Sequence, residues 1–313
     1  MKNAIVFPGQ GSQQVGMGRD LAADFAAARL VFEEVDSALK QNLSQIMFEG
    51  DETELTLTEN AQPAIMANSM AILRVLETET GFKPEQYATY FAGHSLGEYT
   101  ALAAARSLSI SDTAKLLKLR GQAMQRAVPI GKGAMAAILG LEIDDVAEIV
   151  EQACEFGVCA VANDNSYGQI VVSGEKAAVE KAAELAKAKG AKRAVMLPVS
   201  APFHSPLMQQ AAVEMDAALS RSPISIPSLP IVTNVTATAV NDPALIRKLL
   251  VEQVTDMVRW RESVHYMVKQ GVTSFLEIGC GKVLTGLIKR IEKDVAANCI
   301  SGSQDIEIFE KAA

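Results

Sequence analysis

The stretch Tyr90-Phe-Ala-Gly-His-Ser-Leu-Gly-Glu-Tyr99 constrains the fold most. It sets a Gly-x-Ser-x-Gly pentapeptide (Gly93, Ser95, Gly97) between a short apolar run and Ala101-Leu-Ala-Ala-Ala105, an order that reads as strand, sharp turn, helix. In such a nucleophile elbow the glycines make room for a strained turn that lifts the serine hydroxyl clear of the sheet. Ser95 then sits at a helix N-terminus, where unpaired N–H groups and the positive dipole end can hold an oxyanion. Three fixed positions recur by chance in roughly one chain in ten of this length. The reading of Ser95 as a nucleophile therefore rests on the strand and the small-residue helix around it.

The 313 residues suffice for a large core, as one large or two modest domains. Few aromatics beside abundant Ala, Leu and Val favour an α/β protein over an all-β one. A net charge of −8 without a dense Lys/Arg block argues against nucleic acid, yet leaves room for an acidic partner on a local basic patch. Cys154, Cys159, Cys280 and Cys299 lack metal-type spacing, so no metal and reduced thiols in a cytoplasmic setting are expected. The apolar run to Phe7 is too short for a signal peptide, and no run of 18 apolar residues exists to span a membrane.

Ala4–Phe7 reads as a buried strand feeding the turn Pro8-Gly-Gln-Gly-Ser-Gln13. Gly9 and Gly11 lack the third glycine of a dinucleotide loop, and no Gly-Lys-Ser/Thr follows, so the loop suits a backbone N–H approaching a substrate oxygen better than a phosphate. Helices are expected at 19–40, 52–57 and 62–79, the last with Pro63 in its first turn, then a strand from Tyr87 to Ala92. Ser111 or Asp112 is the expected cap of a helix running to about Ala127.

That helix carries Arg120 on the same stripe as Thr113, Leu116, Leu117 and Met124. A guanidinium there stays charged and needs an acceptor. Two accounts stand at this point, a structural ion pair and a bound substrate carboxylate.

From Gly133 to Val199 the pattern is strand, helix, strand, strand, helix, strand, the βαββαβ order of a ferredoxin-like unit. Asn163 to Gly168 is read as the turn between its middle strands. The unit follows Ser95 but precedes Ser200-Ala-Pro-Phe-His-Ser-Pro206, so it is read as an insertion at 131–197 into a main domain of 1–130 and 198–313. Helices at 206–219, 243–253 and 260–269, strands at Ile231–Thr233 and Ser274–Ile278, and a last helix complete the expected order.

A nucleophilic serine needs a base, and three histidines are available. His94 adjoins Ser95 and diverges from it, and His265 lies inside a helix. His204 sits in an irregular Pro-bounded segment after a strand, where catalytic loops occur, and is the expected base. Glu277 is the sole late-strand carboxylate that can be placed for a triad; without it the pair would be a dyad oriented by a neutral group.

Phe7-Pro-Gly-Gln-Gly-Ser-Gln13, Gly93-His-Ser-Leu-Gly-Glu98, Leu119-Arg-Gly121, Pro198-Val-Ser-Ala-Pro-Phe-His204, Val251-Glu-Gln-Val254 and Val258-Arg-Trp260 together resemble the malonyl-CoA:acyl carrier protein transacylases of fatty acid synthesis. The resemblance implies an α/β-hydrolase-like main domain with the ferredoxin-like insertion. It implies that Ser95 takes the malonyl group as an ester, that His204 is base then acid, and that backbone N–H groups of Gln10 and Leu96 form the oxyanion hole. Arg120 would hold the malonyl carboxylate and the Gln253 region would supply the carbonyl orienting His204. Asn163 and Asn165 match a polar loop near the site. Phe203 matches a bulky residue that disfavours an α-methyl branch. The implied partners are malonyl-CoA and acyl carrier protein, with no cofactor and a monomeric, cytoplasmic enzyme. A polyketide carrier served in trans is the alternative acceptor, and a serine thioesterase or hydrolase the rival reaction.

Overall fold

The computed structural model describes residues 2–199 and 201–312; Ser200, in the segment that carries His204, lies outside them. The chain opens with β1 (Lys2–Phe7), then α1 (Arg19–Asp24), α2 (Ala26–Leu39), α3 (Leu43–Glu49), α4 (Glu52–Thr56), α5 (Thr58–Glu79) and α6 (Pro84–Tyr87). There follow β2 (Tyr90–Gly93), α7 (Leu96–Ala104) and α8 (Ile110–Ala127). A second unit runs β3 (Gly133–Leu139), α9 (Ile143–Ala153), β4 (Cys159–Ser166), β5 (Gln169–Glu175), α10 (Lys176–Ala188) and β6 (Arg193–Met196). The remainder is α11 (Gln209–Leu219), β7 (Ile231–Val232), β8 (Ala239–Val240), α12 (Pro243–Glu252), α13 (Trp260–Lys269), β9 (Val272–Ile278), α14 (Val283–Ile291), β10 (Ala296–Ile300) and α15 (Ser303–Ala312).

The architecture is mixed α/β, built on two sheets. The larger has the order β10-β9-β1-β2-β7-β8 and is parallel except at β8. Its buried strands alternate in face as the two-residue period requires. Ile5, Phe7, Phe91 and Ile231 pack into one core with α2, α5, α7 and α8, while Ala4, Val6, Ala92 and Val232 pack into another with Trp260, Val264 and Leu284. The smaller sheet is antiparallel with the order β4-β5-β3-β6; Ala136, Ile138, Ile170 and Val172 meet α9 and α10, and Met135 and Val171 join the main core.

Phe7 pairs with Gly93 in register, so the Gly-rich loop after β1 and the elbow after β2 emerge side by side at the C-terminal ends of parallel strands. The elbow glycines are sterically required. A Cβ at Gly93 would lie 1.9 Å from the carbonyl oxygen of Gly97, and one at Gly97 would lie 2.3 Å from that of Phe7.

Several expected boundaries move. The predicted 19–40 helix is two helices broken at Phe25, whose backbone is extended. Helix α5 begins at Thr58 rather than 62, which puts Pro63 in the second turn. The cap of α8 is Ser109, not Ser111 or Asp112: its Oγ accepts from the Asp112 N–H and donates to the Asp112 carboxylate. Strand β2 starts three residues later than predicted, because Pro84–Tyr87 forms a short helix. Residues 163–166 belong to β4, so the turn between the middle strands is reduced to Tyr167-Gly168. After α14 the chain adds β10 and α15, which the sequence reading omitted.

Candidate active site

Ser95 occupies the N-cap of α7 with φ 53° and ψ −110°, a region that side-chain-bearing residues rarely adopt. Its backbone N–H donates to Asn234 Oδ1 at 2.7 Å, and Asn234 Nδ2 donates in turn to the Gly93 carbonyl at 2.7 Å, tying the turn to the loop after β7.

Ser95 Oγ lies 2.7 Å from His204 Nε2, and His204 Nδ1 lies 2.8 Å from the carbonyl oxygen of Gln253. A carbonyl only accepts, so Nδ1 carries the proton and Nε2 turns its lone pair to the serine hydroxyl. Burial, then the nearby Arg120 charge, depresses His204 to about 3, so the ring is neutral at physiological pH. Glu277 takes no part. Its carboxylate accepts from the N–H groups of Leu284 and Thr285 and caps α14.

Arg120 is 2 % exposed. Gly121 brings α8 against α5 so closely that a Cβ there would fall 2.5 Å from Glu59 Cα, and this approach sets Arg120 beside Gln62. The guanidinium donates to Gln62 Oε1 at 2.7 Å, to Gln253 Oε1 at 2.9 Å and to Ser95 Oγ at 3.1 Å. All three acceptors are neutral. Of the two accounts of Arg120, a structural ion pair finds no carboxylate among its hydrogen-bond partners in the described residues.

Ser95, His204, Arg120, Gln10, Phe203 and Asn163 line one cleft of about 330 Å³. Gln10, Thr56, Pro198 and Val199 also line a second pocket, so the two adjoin. Leu96 is the first residue of α7, where N–H groups have no intrahelical partner. Three expected site residues, Leu96, Gln253 and Asn165, do not line the cleft with their side chains. Gln253 is fully buried behind Arg120, and Asn165 Oδ1 meets His94 Nε2 at 2.8 Å, which holds that ring away from Ser95. His265 lies between Glu292 and Tyr167, remote from the serine.

Sequence reading passed over Gln62, Glu98 and Asn234. Glu98, 1 % exposed, accepts from the Asn234 N–H at 3.0 Å and from Gln253 Nε2 at 2.8 Å. An acid three residues after Ser95 in an otherwise apolar helix was its signal; Gln62 and Asn234 carried none.

A half-buried serine, a neutral histidine and a buried guanidinium around one cleft at the ends of parallel strands mark a group-transfer site. Residues 4–305 match the acyl transferase domain family, and the chain belongs to that family. The malonyl CoA-acyl carrier protein transacylase of Bacillus subtilis is 44 % identical over 308 residues, 98 % of this chain and 96 % of the relative. The crystal structure of acyl-carrier-protein-S-malonyltransferase from Bartonella henselae is 54 % identical with a TM-score of 0.97, covering 100 % of this chain and 99 % of that one. A malonyl-transacylase solved in complex with its type II polyketide acyl-carrier protein is 39 % identical with a TM-score of 0.96, each chain covered in full.

Proposed function

We propose that this chain moves a malonyl group from malonyl-CoA to the phosphopantetheine thiol of an acyl carrier protein through an ester on Ser95. His204 Nε2 takes the serine proton as the hydroxyl attacks the thioester carbonyl, and returns it to the departing CoA thiolate. Backbone N–H groups of Gln10 and Leu96 hold the oxyanion of the tetrahedral intermediate. The carrier thiol enters the same cleft, His204 removes its proton, the thiolate attacks the malonyl ester, and His204 passes the proton to the departing Ser95 oxygen, so that both residues are regenerated. The Gln253 carbonyl holds the imidazole in one tautomer, so the pair works as a dyad without a carboxylate. No redox or metal step is required for this exchange of thiols.

The observation that carries the malonyl assignment is Arg120. It is buried, held by two carboxamide oxygens with no carboxylate among its hydrogen-bond partners in the described residues, and aimed at Ser95 Oγ, while Glu98 acts on it only from behind Gln253. A substrate carboxylate two bonds beyond the reacting carbonyl supplies an anion in direct contact. A plain esterase or thioesterase would have no use for it.

Supporting a finer fold reading, the mostly parallel sheet with its elbow suits an α/β-hydrolase-like main domain at 1–130 and 198–313. The β4-β5-β3-β6 order suits a ferredoxin-like insertion at 131–197. The acceptor is proposed to be a carrier of fatty acid synthesis in the cytoplasm, served by a monomer. No described helix is long and apolar enough to cross a membrane. Lys115, Lys118, Arg193, Lys282 and Lys289 are proposed to meet the acidic carrier, although Lys118 already contacts Glu59 and Asn60.

Intact-protein mass spectrometry after mixing with malonyl-CoA and acetyl-CoA in competition tests this reading. One malonyl adduct is expected on the native chain, none on Ser95→Ala, and a shift toward acetyl on Arg120→Ala. Free CoA without an adduct would point to a hydrolase instead.

A further inference from the structure

Within the cleft Gln62 holds one terminal nitrogen of Arg120, but the other, the one that reaches Ser95 Oγ, is held from behind by Gln253. A carboxamide presents an oxygen at one end and an NH2 at the other, and only the oxygen suits a guanidinium. The orientation of Gln253 therefore decides whether Arg120 is held or repelled. Gln253 Nε2 faces three acceptors: Glu98 Oε2 at 2.8 Å, the Ser95 carbonyl at 3.0 Å and Asn234 Oδ1 at 3.3 Å. With the nitrogen so engaged, Oε1 points at Arg120. Asn234 is fixed by the Ser95 N–H on its own Oδ1, so its orientation is not free to compensate.

We propose that the Gln253 side chain is a positioning residue for acyl-group selectivity, its amide oriented by Glu98 so that Arg120 is aimed at the acyl group by a neutral oxygen. This rests on the malonyl reading of the cleft. One residue thereby serves two parts of the site. The backbone carbonyl of Gln253 fixes His204, and its side chain fixes Arg120. A carboxylate in place of the amide would occupy the guanidinium and compete with the substrate. Burial pushes Glu98 up to about 7 against the donors from Asn234 and Gln253, so this acid is kept in an apolar helix at a cost in desolvation.

Gln253→Met keeps the backbone carbonyl and the chain length but removes the amide; Gln253→Glu is isosteric and adds a charge. Single-turnover loading of Ser95 with malonyl-CoA and with acetyl-CoA, across substrate concentration, reads both variants against the native chain. The malonyl-to-acetyl ratio is expected to fall about tenfold in Gln253→Met, through a raised half-saturating malonyl-CoA concentration more than a lowered limiting rate, and further in Gln253→Glu. Equal losses for the two acyl groups, or an unchanged ratio, would overturn the assignment. Should Gln253→Met fail to fold, as judged by its thermal melt, the isosteric Gln253→Glu decides alone. Absence of a malonyl ester on the native chain would sink the malonyl reading, and this inference with it; a native ester with unaltered ratios sinks only the inference.

Discussion

Ser95 and His204 lie 109 residues apart, their side chains meet at 2.7 Å, and both hold a positive φ, 53° and 55°. Left-handed backbone in a residue with a Cβ costs of order 1–3 kcal/mol. At Ser95 the strain follows from the elbow that exposes the hydroxyl. Ser95→Gly and Ser95→Ala should both abolish ester formation, but only glycine relieves the strain. Ser95→Gly should be the more stable of the two by about 1 kcal/mol after its greater unfolded-state entropy is counted. Urea midpoints of the two variants check this, and equal midpoints would mean that the turn is unstrained.

The pH dependence follows from His204, faced by Arg120, His94, Ser95 and the Gln253 carbonyl. Its folded pKa of about 3 lies below its ordinary 6.5, so the folded chain binds fewer protons than the unfolded one between those values. Stability from this group is complete above pH 6.5 and drains away as pH falls toward 3. Glu98 opposes it: raised from 4.5 to about 7, it loses stability as pH rises through that window. The two nearly offset between pH 4.5 and 6.5, so a His204→Gln comparison is needed to isolate the first. The native chain should lose up to about 2 kcal/mol relative to His204→Gln between pH 6.5 and 5. The acylation rate of the native chain should show no histidine break near pH 6.5. Such a break in single-turnover kinetics would show that the buried ring titrates normally.

Phe203 lines the cleft immediately before the base and is 7 % exposed. A ring there narrows the space available to an α-methyl branch. Phe203→Ser should raise methylmalonyl-CoA loading relative to malonyl-CoA by roughly 10- to 200-fold, the range that one carbon in an apolar pocket commands. Paired competition experiments measure the ratio. No change would place the branch against another wall.

How much of this was legible beforehand depends on range. The elbow was readable because Gly93, Ser95 and Gly97 act within five residues, and Arg120 because a charge broke a helical stripe. His204 was reached by elimination among three histidines. Gln62, Asn234 and the side-chain role of Gln253 were not legible, since each acts through partners between 19 and 158 residues away that no local pattern encodes. The extension of β4 through Asn163–Ser166 was missed for a related reason. Asn and Asp favour turns locally, but here the strand bonds across to Val258, with the Asp164 N–H donating to its carbonyl, and tertiary pairing wins.

That same pairing yields the last prediction. Asp164, 1 % exposed, receives Arg261 through two of its nitrogens at 2.8–3.0 Å, while on either side of it Asn163 lines the cleft and Asn165 holds His94. The pair therefore fastens the small sheet to α13 at the edge of the site. Arg261→Leu strands a buried carboxylate, which costs about 3–5 kcal/mol, whereas Asp164→Asn with Arg261→Leu removes the charge as well and should recover much of that loss. Because Asn163 and Asn165 move with Asp164, the single variant should also raise half-saturating malonyl-CoA while leaving the Ser95–His204 contact able to form the ester. Thermal melts of the two single variants and the double variant, with loading kinetics on each, distinguish the outcomes. If the double variant is as unstable as the sum of the singles, the two side chains act independently, and the fastening must lie instead in the backbone bonds between Asp164 and Val258.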